Sequence, residues 1–158
     1  MEKIASFKVN HLDLLVGLYV SRIDDVNGNS VTTFDLRYTR PNVDEVMDTA
    51  ALHAIEHLGA TFLRNHQVSK EIIYFGPMGC RTGFYLIISG NKTSKDIYYL
   101  VKEMNEFIIN YQGIIPGASP RDCGNYKDLS LEGAKRFASK YLKEFLNNPK
   151  DEQFIYPN

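Results

Sequence analysis

The segment that most constrains this chain is residues 53–57, which read His-Ala-Ile-Glu-His. Two imidazoles and a carboxylate at these spacings share one surface only in a helix, where positions i, i+3 and i+4 lie on the same face. Apolar residues at helical spacing predict a helix that begins at Asp48 or Thr49 and reaches about residue 66. His53 and His57 then lie at the edge of the buried stripe, where they can bind a metal ion that a cleft leaves accessible.

The order of residues in this motif is His-x-x-Glu-His, which differs from the His-Glu-x-x-His order of common zinc proteases. Glu56 therefore takes a different position around the predicted metal from the glutamate of those proteases, and it is close enough to transfer a proton. An exposed helix that carries two histidines and a glutamate without binding a metal is the alternative explanation.

Two cysteines strengthen the prediction of a site because each lies in a loop. Cys80 follows Gly-Pro-Met-Gly between two strand-like runs, and Cys123 follows Pro-Arg-Asp. Structural cysteines are usually buried among apolar neighbours, whereas loops commonly hold the side chains of a site. One cysteine could complete an open His₂Cys metal site and the other could stay free for chemistry. A disulfide between them is the alternative, although two cysteines without a secretory signal indicate a reducing compartment.

Composition predicts one compact domain over residues 1–158 that works in the cytoplasm. Lysine and arginine number 18 against 19 acidic residues, which gives a net charge of -1. This balance argues against nucleic acid and membrane surfaces as partners. The apolar run from Leu14 to Val20 is too short to span a bilayer, and it lacks the flanks of a signal peptide.

The alternation of apolar runs and turn signals predicts an α+β fold, with helices packed on one face of a largely antiparallel sheet. No glycine-rich segment matches a dinucleotide or P-loop fingerprint. After the helix at 49–66, two more helices are expected, from about 94 to 111 and from about 130 to 146. Strands are expected over residues 4–9, 14–21, 31–38, 71–75 and 84–89.

Six short motifs occur in an order that resembles the LuxS family of S-ribosylhomocysteine lyases. The resemblance covers nearly the whole chain, and the string Pro-Met-Gly-Cys-x-Thr-Gly is its most specific part. The motifs are Ser6-Phe7 with His11, Phe-Asp-Leu-Arg at 34–37, His-Ala-Ile-Glu-His at 53–57, Pro-Met-Gly-Cys-Arg-Thr-Gly at 77–83, Cys123-Gly124 and Leu-Glu-Gly-Ala-Lys at 131–135.

The resemblance implies a metal site and an acid–base pair. His53, His57 and Cys123 are the implied ligands of one divalent metal ion per subunit, natively Fe²⁺, which Zn²⁺ or Co²⁺ can replace. Cys80 and Glu56 are the implied catalytic residues. A Lewis-acid metal stabilises negative charge without changing its oxidation state, and two proton carriers suit opposite faces of a planar intermediate.

The resemblance also implies substrate-binding residues and a homodimer with active sites at the subunit interface. Ser6, His11 and Arg37 match family positions that contact the substrate. From the residues alone, His11 could be an ordinary polar residue at a strand end, and Arg37 could pair with an acidic neighbour.

The implied reaction converts S-ribosylhomocysteine into homocysteine and 4,5-dihydroxy-2,3-pentanedione, the precursor of autoinducer-2. Two carbonyl migrations along the sugar make the C4 proton acidic, and the C5 thiolate then leaves by β-elimination. Many family members carry an acidic residue and a serine where this chain has Tyr74 and Gly76. If the acidic residue contacts the sugar or tunes the thiolate in other members, this chain must do so differently, but the reaction class is unaffected.

A metallohydrolase is the alternative function, because His-x-x-Glu-His is also the inverzincin protease motif. Glu132 would then be the third metal ligand. That reading leaves Cys80 and Cys123 without a role, and the chain is small for such proteases. A non-catalytic module with a structural metal is a third possibility, but structural sites usually contain more thiols.

Overall fold

The computed structural model describes residue 2 and residues 4–158, without the side chains of residues 5 and 6. Four strands form one antiparallel sheet with the order β1-β2-β4-β3. The strands are β1 (Gly17–Val26), β2 (Asn29–Arg37), β3 (Ile72–Pro77) and β4 (Gly83–Ser89), and the helices are α1 (Ala5–Lys8), α2 (Thr49–Asn65), α3 (Ser94–Asn110) and α4 (Leu131–Tyr141). A π-helical turn (Leu142–Leu146) extends α4, and 3-10 turns cover Ser69–Glu71 and Asp151–Gln153.

The two faces of the sheet have different roles. Successive strand residues point to opposite faces, so Phe34, Leu36 and Tyr38 lie in the hydrophobic core with α2, α3 and α4. Asp35 and Arg37 therefore lie on the face turned away from these helices, and both are nevertheless buried. The predicted fold class, with helices on one face of an antiparallel sheet, is confirmed.

Local capping explains where the long helices begin. The Asp48 carboxylate accepts a hydrogen bond from the Ala51 amide at the start of α2. Thr93 and Asp96 form a reciprocal capping box at the start of α3, in which each side chain satisfies a backbone amide of the first turn. The predicted starts of both helices are confirmed, and α4 likewise begins after Ser130.

One predicted strand is wrong. Residues 4–9 were expected to be extended, but Ala5–Lys8 form a single helical turn. Phe7 is 70% exposed, so the segment lacks the burial on one face that would hold a strand in a sheet. The strand expected from residue 14 begins instead at Gly17, and Leu14 and Val16 are buried in the segment that leads to it. Among the described residues, no helix is long and apolar enough to cross a membrane.

Candidate metal centre and active site

Three potential metal donors come together at the edge of α2. His53 and His57 are one helical turn apart, and their rings meet edge to face with centroids 4.6 Å apart. Cys123, from the loop between α3 and α4, approaches the same point, with its Sγ 3.4 Å from Nε2 of His53. The three donor atoms lie within 4.8 Å of one another. One ion can therefore contact all three.

Two backbone carbonyls of the same loop orient the imidazoles. Nδ1 of His53 lies 2.8 Å from the carbonyl oxygen of Asp128, and Nδ1 of His57 lies 2.7 Å from that of Pro116. A carbonyl only accepts hydrogen bonds, so each Nδ1 carries a proton and Nε2 is the ring nitrogen left to bind a metal. Carbonyl partners of this kind fix the tautomer and orientation of metal-binding histidines.

Gly117 allows the loop to come this close to His57. Its φ is +73°, a conformation that glycine adopts readily, and a Cβ there would lie 3.2 Å from Nδ1 of His57. The residues present fit a divalent transition metal, because two imidazoles and one thiolate suit Fe²⁺, Zn²⁺ or Co²⁺ better than Mg²⁺ or Ca²⁺. Three protein donors leave further coordination positions for water or substrate, as in catalytic sites.

Glu56 lies beside this group of donors. It is half-buried on α2 and lines an open cavity of about 350 Å³ together with His57, Pro116 and Gly117. A carboxylate at this place can reach a molecule bound at the donors, which is the position that proton transfer requires.

A second group of predicted residues surrounds Cys80. The thiol is exposed, and its Sγ lies 3.1 Å from Oγ1 of Thr82. Nη1 of Arg37 donates a 2.6 Å hydrogen bond to the same hydroxyl and lies 3.9 Å from the sulfur. The alternative that Arg37 pairs with an acidic neighbour is confirmed, because its Nη2 pairs with Asp35 at 2.5 Å, while its contact with substrate stays a prediction.

Burial controls the charges of this group. Burial alone would lower the pKa of Arg37, but the adjacent Asp35 raises it above its usual value, so the guanidinium remains a cation. Burial raises the pKa of Asp35, and the charge of Arg37 opposes that rise. Burial also raises the pKa values of Tyr85 and Tyr156, so both phenols remain neutral at physiological pH.

A cavity of about 330 Å³ opens in front of Cys80. His11, Arg37 and Tyr85 line it, together with Tyr156 from the end of the sequence. Nδ1 of His11 lies 2.9 Å from the carbonyl oxygen of Val9, which leaves the other ring nitrogen available to a ligand. The side chain of Ser6 lies outside the described part of the structure.

The structure does not place all predicted site residues in one cleft. Arg37 lies on the face of the sheet that is turned away from the helices, whereas His53, Glu56 and His57 belong to a helix on the opposite face. Among the described residues, no hydrogen bond or cavity is shared by Cys80 and Glu56. Within one chain, the two predicted proton carriers therefore lie in separate groups of residues. The Cys80 half-site comprises His11, Asp35, Arg37, Cys80, Thr82, Tyr85 and Tyr156, and the metal half-site comprises His53, Glu56, His57 and Cys123.

Several residues of the Cys80 half-site had not been singled out from the sequence. Asp35 could have been found, because it precedes Arg37 by two positions in a strand and so shares its face. Thr82 lies two residues after Cys80, but nothing in its setting predicts its hydrogen bonds. Tyr156 has no local signal, and the carbonyls of Pro116 and Asp128 are backbone groups.

Two further expectations can be placed in the structure. Cys80 and Cys123 are both free thiols, so the disulfide alternative does not hold. Tyr74 and Gly76, the positions that depart from the family pattern, are structurally coupled, because the Tyr74 ring lies where a side chain at position 76 would be.

Comparison with known proteins agrees with the geometry. A family model described as S-ribosylhomocysteinase (LuxS) matches residues 4–152. The S-ribosylhomocysteine lyase of Finegoldia magna is 60% identical over 157 residues, which cover 99% of both chains. The proteins of the same name from Clostridium beijerinckii and Clostridium acetobutylicum are 55% and 54% identical, over 100% and 99% of both chains respectively.

Proposed function

This chain belongs to the LuxS family of S-ribosylhomocysteinases, and on that premise we propose that it cleaves S-ribosylhomocysteine. The reaction is a carbon–sulfur lyase reaction that releases homocysteine and 4,5-dihydroxy-2,3-pentanedione, the precursor of autoinducer-2. The observation that carries the proposal is the convergence of His53, His57 and Cys123 within 4.8 Å on a chain of this family.

The metal would be held by His53, His57 and Cys123, one ion per subunit. When bound, it supplies Lewis acidity that stabilises negative charge on oxygen at each carbonyl migration. We propose Fe²⁺ as the native ion, with Zn²⁺ and Co²⁺ as replacements, since all three accept imidazole and thiolate donors. The cytoplasm is the proposed compartment, because free thiols persist in a reducing environment.

Cys80 and Glu56 are the proposed proton carriers. Thr82 and the Arg37 cation lie beside the Cys80 sulfur, and a cation next to a thiol favours the thiolate that acts as a base. Glu56 supplies the second carrier from the metal side. His11, Arg37 and Ser6 are the proposed substrate contacts, supported for the first two by the cavity that they line with Cys80.

The separation of the two half-sites supports a homodimer. Cys80 and Glu56 lie on opposite sides of the sheet, so a second copy would bring its own Cys80 to the metal half-site of the first. A two-fold symmetric dimer completes two sites in this way, because each chain gives one half and receives the other. Each chain is proposed to be one catalytic domain over residues 1–158, because one hydrophobic cluster joins the sheet and the helices of the described part of the chain.

The first experiment is a thiol-release assay. Metal-loaded protein is given S-ribosylhomocysteine, and free homocysteine is titrated with a disulfide reagent. Thiol should appear in proportion to protein and stop on addition of a strong chelator. Cys80→Ala, prepared in parallel, controls for contaminating enzyme, and wild-type protein without substrate controls for the reaction of its own exposed thiol, Cys80. Absence of thiol release from metal-loaded protein would contradict the proposed reaction.

The shared site can be tested by complementation between inactive variants. Cys80→Ala and Glu56→Gln are better suited than a change at Arg37, because removal of Arg37 would leave Asp35 buried without its ion-pair partner. Random pairing after mixed refolding gives half heterodimers, and each heterodimer has one intact site of two. About a quarter of normal activity should return. If mass tagging shows exchange but no activity returns, the two residues belong to the same chain's site.

The metallohydrolase alternative is not favoured. Its third ligand would be Glu132, which is exposed in the first turn of α4. Among the described residues, the group of donors contains Cys123 rather than this glutamate. If Glu132→Ala removed the metal and Cys123→Ala did not, the hydrolase ligand set would replace ours.

A further inference from the structure

The last residues of the sequence, 154–158, cover the Cys80 half-site through one side chain. The ring of Tyr156 stacks on Tyr19, with centroids 4.8 Å apart and planes inclined by 12°. Its hydroxyl donates a 2.9 Å hydrogen bond to Oδ2 of Asp35. The side chain thus ties the end of the chain to a buried carboxylate 121 residues away.

A continuous series of polar contacts leads from Tyr156 to the reactive thiol. Asp35 Oδ2 accepts from the Tyr156 hydroxyl and from Nη2 of Arg37. Nη1 of Arg37 faces Thr82 and Cys80, whose side chains are themselves in contact at 3.1 Å. The orientation of Arg37 toward the sulfur therefore depends on how the carboxylate of Asp35 is held.

Two neighbouring contacts fix the segment that carries Tyr156. The side-chain amide of Gln153 is buried and donates to the backbone carbonyls of Val16 and Glu144. The carbonyl of Asn158 accepts from the side-chain amide of Asn10, the residue before His11. Both sides of Tyr156 are therefore anchored. The family match ends at residue 152, so Tyr156 itself lies beyond the matched residues.

We propose that Tyr156 is a positioning residue that keeps Arg37 directed at Cys80. The inference rests on the proposed function only in taking Cys80 as a reacting group. Among the described residues, Asp35 Oδ1 and Arg37 Nε have no hydrogen-bond partner. Tyr156 and Arg37 both donate to the other oxygen, Oδ2, so these two donors hold the Asp35 carboxylate in place. Without the tyrosine hydroxyl, Oδ2 keeps only the guanidinium as donor, so the carboxylate can turn and take the guanidinium with it, which moves Nη1 away from the sulfur.

Tyr156→Phe tests the proposal because it removes the hydroxyl and keeps the ring that stacks on Tyr19. The first readout is the rate at which iodoacetamide alkylates Cys80 in the metal-loaded protein, followed by mass spectrometry of the peptide that contains Cys80. We expect alkylation at neutral pH to slow by about three- to tenfold, because the interaction of the Arg37 guanidinium with the Cys80 sulfur is partly lost. The pH of half-maximal alkylation should rise.

Several charged or titratable groups surround Cys80 and influence the pH dependence of its alkylation. Arg37 and Asp35 face it from β2, and Tyr85 faces it from β4. His11 faces it from the segment after α1, and Tyr156 from the last residues. Asp44 lines the cavity of about 300 Å³ on the other side of the thiol. Of these groups, the variant changes only Tyr156, so a shifted profile reports on the Tyr156–Asp35–Arg37 arrangement.

Tyr99→Phe is the matched control, because Tyr99 is 72% exposed on α3, away from both half-sites. It should leave alkylation, kcat and KM unchanged. Tyr156→Phe should lower kcat by about the factor seen in alkylation. A wild-type alkylation profile in folded Tyr156→Phe would overturn the proposal, even if melting showed a loss of stability. Alkylation does not require turnover, so a shifted profile in a protein that releases no homocysteine would reject the proposed function and retain this inference.

Discussion

Gly117→Ala is expected to weaken metal binding through the orientation of His57. Gly117 has a φ of +73°, and an added Cβ would lie 3.2 Å from Nδ1 and 3.3 Å from Cε1 of His57. Both separations are shorter than an ordinary van der Waals contact of a Cβ atom, so either the ring or the loop must move by a few tenths of an ångström. The 2.7 Å contact between Nδ1 and the Pro116 carbonyl lies directly beside this point.

Two effects contribute to the expected magnitude. An L-residue in the left-handed region costs about 1–2 kcal/mol, which for a chain of this size lowers Tm by about 2–8 °C. Disturbing the hydrogen-bond partner of a metal-binding histidine lowers metal affinity by about 10–100-fold. Because the alanine displaces the carbonyl without removing it, we expect a loss near tenfold.

Gly28→Ala separates the two effects. Gly28 has a similar φ of +81° in the β1–β2 turn, and nothing lies within 4 Å of a Cβ there. Thermal melting of both metal-free variants should show comparable losses of stability. Competition for Co²⁺ against a chromophoric chelator should show weaker binding only for Gly117→Ala. Equal Co²⁺ affinities in the two variants would refute the argument that the loop carbonyl orients His57 for metal binding.

Three further predictions follow from the site and its surroundings. Cys123→Ala should lose bound metal by elemental analysis, because a thiolate donor is removed, whereas Cys80→Ala should keep its metal and lose turnover; metal loss in both would contradict two separate roles. Gly76→Ala should lower Tm because the new methyl group overlaps the Tyr74 ring, and Tyr74→Ala in the same chain should restore part of the loss; additive losses in the double variant would argue against the coupling. Burial alone would raise the pKa of Asp44, but hydrogen bonds from Arg40 and Lys140 lower it to about 2. Since the folded-state pKa is below the unfolded one, this carboxylate stabilises the fold above about pH 4 by about 1–2 kcal/mol, and the contribution is lost as pH falls toward 2. Urea unfolding across that range should show a shallower pH dependence for Asp44→Asn, and an unchanged slope would contradict the assignment.

The long helices and the two histidine donors could be predicted from sequence because their determinants are local. The cap at Asp48, the capping box at Thr93 and the apolar stripes all lie within a few residues of the structure that they specify. The spacing of His53 and His57 is of the same kind, since one helical turn brings them together. Residue type alone allowed either cysteine as the third donor; the family resemblance selected Cys123, whose position depends on a loop that no local pattern predicts.

The first segment shows where a local pattern misleads. Residues 4–9 contain apolar residues that suit a strand, yet no strand in the described part of the structure pairs with them, and Phe7 stays exposed. Strand formation depends on cross-strand partners more than on intrinsic preference. The contact between Tyr156 and Asp35 was beyond prediction for a related reason, because it depends on how residues far apart in sequence come together.

The alternation along β2 limits how this strand can change during evolution. Phe34 and Leu36 fill the core, while Asp35 and Arg37, interleaved with them, build the Cys80 half-site. Inserting or deleting one residue here would turn each side chain to the other face. Two charges would enter the hydrophobic core and two large apolar groups would enter the cavity. Length variation among homologues should therefore be confined to the turns, and this strand should diverge only by substitution.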